Sequence, residues 1–199
     1  MSRPFHGLRA YAPALLIGPL LLGGIAAPSA HAAKGPILWP RSCHATGGVG
    51  ITIDSSNVGF RLEGDCNEVK ITGDNVTIDA DRMQRLVIEG DNVDVTATVV
   101  TTIIVKGDRA KVRATSATRV TMNGRKQHVT LSGLLDRGVV RAKGSTLSAR
   151  RYNFLTVTGN RNTLKGQRAF DVILRGNRNT VAITKVDAVK DRGKRNRVR

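Results

Sequence analysis

Aromatic residues make up 4% of this 199-residue chain, and its single tryptophan, Trp39, precedes the repetitive part. A polysaccharide lyase or hydrolase working along a groove needs aromatic platforms, and a protein gripping single-stranded nucleic acid needs bases to stack on them. The scarcity weighs against both. Histidine is also sparse, with four in the chain. His6 and His31 fall in a leader, His44 adjoins Cys43, and His128 lies in a turn. No nucleophile–His–Asp arrangement stands out. Cys43 and Cys66 are the two cysteines, and with His44 they lack a fourth ligand for zinc. No metal site and no cofactor is expected.

Long apolar runs are confined to the N-terminus. Arg3 and Arg9 precede an apolar stretch, Ala10 to Ile25, and Ala30-His31-Ala32 supplies a small-x-small cleavage site. That order is a secretory signal peptide over residues 1–33. The rival reading is an uncleaved anchor, but Pro13 and Pro19 interrupt the stretch, which falls short of the roughly 20 residues a span needs. No cysteine follows to carry a lipid. Export, to the periplasm or the extracellular space, makes Cys43 and Cys66 a disulfide pair. It also argues against nucleic acid as the physiological partner.

Acidic residues are the next shortage, and they run out along the chain. From Lys34 to Asp108 there are 7 basic and 11 acidic residues; from Arg109 to Arg199 there are 23 basic and 4 acidic. Such a rear half attracts polyanions, whether envelope polymers, anionic glycans or lipid head groups.

What the chain has in abundance is repetition. Gly73, Gly90, Gly107 and Gly124 recur every 17 residues. Before them stand apolar pairs: Val69 and Ile71, Leu86 and Ile88, Ile103 and Val105, Val120 and Met122. After them come Asp74-Asn75, Asp91-Asn92 and Asp108-Arg109, then the columns Val76, Val93, Ala110 and Ile78, Val95, Val112. The period resumes at Gly159-Asn160-Arg161-Asn162-Thr163-Leu164 and Gly176-Asn177-Arg178-Asn179-Thr180-Val181, turns that read as two residues longer. Val140-x-Ala142-x-Gly144 is a weaker copy, and Gly64 to Val69 makes the first coil irregular.

Within each copy apolar and polar residues alternate, the signature of a strand with one buried face. The Gly, Asn and Asp residues supply tight turns. A short strand–turn–strand unit cannot bury its face alone, so copies must stack. The expectation is an all-β, single-domain parallel β-solenoid with roughly 17-residue coils. An antiparallel sandwich predicts the alternation but not the recurrence of one residue type in one column. The expected layout is a lead or cap segment over 34–60, the solenoid over 61–184, and a basic disordered tail over 185–199.

The iterated Val-x-Ile-x-Gly-Asp-Asn-Val-x-Ile block from Val69 to Val112 and the Gly-Asn-Arg-Asn-Thr turns at Gly159 and Gly176 follow a signal peptide and a Cys-bearing lead. In these features the chain resembles an exported bacterial family known only as domain of unknown function 3060. The resemblance covers most of the mature chain. It implies a β-solenoid and no particular activity.

Two sets of residues merit a functional reading. Asp74, Asp91 and Asp108 form an acidic column near Asp79, Asp81 and Asp94. Stacked carboxylates repel; calcium would relieve this, a carboxylate pair could serve glycoside chemistry, and turn capping is the simplest role. The basic set is Arg150, Arg151, Arg161, Lys165, Arg168, Arg175, Arg178, Lys194, Arg195 and Arg197, candidates for anion binding. The resulting expectation is an exported, noncatalytic solenoid binding anionic envelope polymers or a membrane surface. The alternatives are a structural or protein-interaction solenoid and a carbohydrate-active β-helix enzyme.

Overall fold

In a computed structural model the described residues are 37–43 and 50–199, with side chains described from Ser42 onward. The expected signal peptide and His44 lie outside them. The strands are β1 (Ile37–Ser42), β2 (Ile51–Ile53), β3 (Gly59–Ile71), β4 (Thr77–Ile88), β5 (Asp94–Val105), β6 (Lys111–Ala114), β7 (Ala117–Met122), β8 (His128–Val140), β9 (Thr146–Val157), β10 (Thr163–Leu174), β11 (Thr180–Asp191) and β12 (Arg197–Val198). Every pairing between them is parallel, and each coil pairs with the next. The chain is therefore a parallel β-solenoid, as its periodicity predicts. Residues in a left-handed conformation mark one corner of each coil: Asn57, Asn75, Asn92, Arg109, Lys126, Gly144, Arg161, Arg178 and Arg195.

The register is 17 residues from Thr77 through Asp94 and Lys111 to His128, and again from Thr146 through Thr163 to Thr180 and Arg197. Two coils hold 18 residues. Gly59 pairs with Thr77 and His128 with Thr146, each with a register shift, at Leu62/Asp65 and Leu131/Leu134. Gly64 (φ 85°) is thus part of a bulge inside β3 and not a turn. The second bulge is why the copy at Ala142 reads weakly: it is displaced by one residue.

The core is a set of stacked apolar columns. Val69, Leu86, Ile103 and Val120 are fully buried in one, and Ile71, Ile88, Val105 and Met122 in another. Period-two alternation sends these side chains inward because successive Cβ atoms point to opposite faces of a strand. Tyr152 is also enclosed, its hydroxyl donating toward the carbonyls of Lys165 (2.7 Å) and Leu147 (3.1 Å). Burial raises the pKa of that phenol above its ordinary value. Gly166 makes room for the ring: a Cβ there would stand 2.8 Å from Tyr152 Cε2.

Two expectations are corrected. The later turns are not longer. The position three after the glycine holds Val76, Val93 and Ala110, then Gln127, Ser145, Asn162 and Asn179, all buried; a buried asparagine was taken for a turn residue because it is polar. Within the expected lead or cap segment, 34–60, β1 and β2 both pair with β3. Residues 185–199 are not a disordered tail. Lys185 to Asp191 completes β11, Arg195 turns the ninth corner, and Arg197 and Val198 pair with Thr180 and Val181.

The Cys43–Cys66 disulfide is present, with a Cα–Cα distance of 5.1 Å. A disulfide of this kind belongs to an oxidising compartment.

Candidate anion-binding corner

Each coil turns this corner on four residues, exemplified by Gly159-Asn160-Arg161-Asn162. The first column is mostly glycine because the coils touch there. A Cβ on Gly90 would lie 2.0 Å from the Gly73 carbonyl oxygen, and one on Gly176 1.8 Å from that of Gly159. The left-handed conformation belongs to the third column, with φ between 53° and 64° from the second coil on.

The second column runs Ser56, Asp74, Asp91, Asp108, Arg125, Lys143, Asn160, Asn177, Lys194. Its carboxylates do not cap their own turns. Asp74, Asp91 and Asp108 each accept the backbone N–H of the next coil, at 2.7–2.8 Å. Asn160 and Asn177 accept in the same way from Asn177 and Lys194, both at 2.7 Å. Asp108 also takes the Arg125 guanidinium at 2.7 Å, and that hydrogen bond holds its pKa below the ordinary value. Asp81 accepts from the Gly64 N–H, and Asp94 pairs with Arg113. Among the described residues no three His, Cys, Asp or Glu side chains are grouped for a metal ion.

The fourth column is inward. From Gln127 on it is a polar ladder in the core. Asn162 donates Nδ2–H to the Ala142 carbonyl (2.7 Å) and its backbone N–H to Asn179 Oδ1 (2.8 Å). Asn179 repeats this with Gly159 and Asn196. Ser145 donates its N–H to Asn162 Oδ1 and accepts from Gln127. Buried amides are tolerated here because nearly every donor and acceptor has a partner. The ladder fixes the shape of the corners that carry the rear half's charge.

Charge reverses along this corner. The first three coils present Ser56-Asn57, Asp74-Asn75 and Asp91-Asn92. From the fourth coil, each one offers at least one cation: Arg109; Arg125 and Lys126; Lys143; Arg161; Arg178; Lys194 and Arg195. Arg109 and Arg125 are held by Asp91 and Asp108. Lys126, Lys143, Arg161, Arg178, Lys194 and Arg195 have no ion pair among the described residues and are exposed. A groove of about 420 Å³ is lined by Lys143, Asn160, Arg161, Asn177, Arg178, Lys194 and Arg195, with no carboxylate. A second, beside it, is lined by Arg178, Thr180, Arg195, Asn196 and Arg197.

Arg161, Arg178, Lys194, Arg195 and Arg197 of the sequence-derived set are thus brought together. Arg150, Arg151, Lys165, Arg168 and Arg175 do not line these grooves. Arg150 donates to Gln167, and Arg168 is tied to Asp187 at 2.9 Å and lies 4.8 Å over the Phe170 ring. Sequence reading missed Lys126 and Lys143. The signal for Lys126 was the column itself, in register with Arg109; Lys143 was hidden by the extra residue of its coil. The exposed rings of Phe154 (50%) and Phe170 (49%) were missed as well. No family model, curated protein or solved structure matches the chain.

Proposed function

We propose that this chain is an exported, noncatalytic binding protein that holds an anionic polymer of the cell envelope through the rear half of this corner. The observation that carries the reading is the choice of Arg or Lys at left-handed positions. A non-glycine residue there costs about 1–2 kcal/mol, less for Asn, and the first three coils use Asn while Arg109, Lys126, Arg161, Arg178 and Arg195 do not. Strain accepted repeatedly in favour of one side chain points to a role for that side chain. The groove supports recognition of acid groups, since guanidinium forks match carboxylate and phosphate. The disulfide agrees with export.

The test is retention of the chain from Lys34 on immobilised anionic glycans and anionic vesicles against salt. The Arg161→Asn, Arg178→Asn, Arg195→Asn triple variant keeps the turn and removes three charges. Retention that falls with salt and is largely lost in the variant supports the reading; no retention near physiological salt overturns it. A protein-interaction role is the second reading, favoured by the exposed apolar side chains of Val189 in β11 (43%) and Val198 in β12 (46%).

A further inference from the structure

We propose that the corner takes its ligand lengthwise: a linear polyuronic acid, one carboxylate on every sugar, lies parallel to the solenoid axis with about one carboxylate per coil. This rests on the binding role proposed above and adds the ligand class and its direction.

Three observations carry it. First, the cations form a line. Successive coils are separated by about 4.8 Å, the spacing of paired strands, and every coil from Arg109 to Lys194-Arg195 contributes at least one cation to two adjacent columns. Arg109 is taken up by Asp91, so the unpaired cations, from Lys126 to Lys194-Arg195, span five coils and give a track of about 19 Å on that spacing. Second, the track presents donors throughout. Where the second column is not cationic it is Asn160 and Asn177, and the Oδ1 of each already accepts a backbone N–H. What remains is Nδ2, a donor, so the groove from Lys143 to Arg195 offers no acceptor side chain that would repel a carboxylate. Third, the track has an end. At Asp108 and Asp91 the same columns turn acidic, and these carboxylates neutralise Arg125 and Arg109.

The ligand's chemistry follows. A polymer with one acid group per pyranose repeats on the scale of one coil step. Phosphates along a duplex strand rise about 3.4 Å each along the axis while winding around it, so they leave a straight line of cations within a few steps, and the groove has no ring to stack bases.

The experiment is the affinity of the chain from Lys34 for size-defined oligogalacturonates of two to ten sugars, at several salt concentrations, with inorganic phosphate and anionic vesicles beside them. Affinity should climb with each added sugar, level off near five, and leave phosphate undetectable. Arg161→Asn, Arg178→Asn and Arg195→Asn, on three different coils, should each weaken the long oligomers by about two- to fivefold and lower the salt slope by about one. Asp108→Asn, which keeps the acceptor and frees Arg125, should strengthen them. Equal affinity for the dimer and the decamer, or loss confined to one of the three variants, overturns the lengthwise track while leaving polymer binding intact. Tighter binding to vesicles than to any oligomer overturns the ligand class. Failure to bind any polyanion overturns the underlying reading itself.

Discussion

A single asparagine shows how much one residue can decide. Asn179 satisfies both the Asn162 N–H and the Gly159 carbonyl inside the core. Asn179→Ala would leave both unpaired, at roughly 1–3 kcal/mol for each group, so urea unfolding should show a loss of about 2–6 kcal/mol. Arg178→Asn, one residue earlier and outside, should leave stability unchanged or slightly raised while weakening polyanion binding. A residue kept for the fold would show the opposite pattern. Acid acts at this scale too. Asp108 titrates below its ordinary 3.8 because Arg125 hydrogen-bonds its charged form. Its contribution to stability is therefore complete above about pH 4 and fades as pH falls through the lowered value. Asp108→Asn should flatten that part of the stability–pH curve, read by thermal melts between pH 2 and 5.

At the scale of the coil, the turn glycines do different jobs. Gly90 is needed for space: a Cβ would collide with the Gly73 carbonyl, so Gly90→Ala must push two coils apart and cost several kcal/mol, on the order of the larger core lesions. Gly144 faces open space but has φ +64°, so Gly144→Ala should cost about 1 kcal/mol and Gly144→Asn less. Chemical denaturation of the three variants separates a packing role from a conformational one. The strand columns were legible in the sequence, since Val, Ile and Leu at period two admit one buried face. The fourth column was legible only to Ala110; beyond it, polarity disguised inward-facing Gln127, Ser145, Asn162 and Asn179 as turn residues.

For the whole molecule, a solenoid transmits stability only between neighbouring coils. Reducing Cys43–Cys66, which spans 23 residues, should cost about 3 kcal/mol on the loop-closure estimate. The loss should fall at the N-terminal end: hydrogen exchange should speed in β3 and leave β9 and β10 protected. Truncation after Thr184 would remove half of β11, the ninth corner and β12, uncovering Leu174 and Val172. It would lower stability as well as charge, which is why substitutions at the corner, and not truncation, report on binding.

The sequence alone determined the period, the solenoid class, the disulfide partners and the gradient of charge, because each is written as recurrence or count along one dimension. The tertiary structure decided which polar residues face inward and which basic residues share a surface. Stacking places residues 17 or 18 apart within one strand spacing of each other, and two bulges shift the columns by a residue each. Only in the stacked coils do Lys126, Lys143, Arg161, Arg178 and Arg195 become neighbours, while Arg150, Arg168 and Arg175, close to them in sequence, fall on other faces.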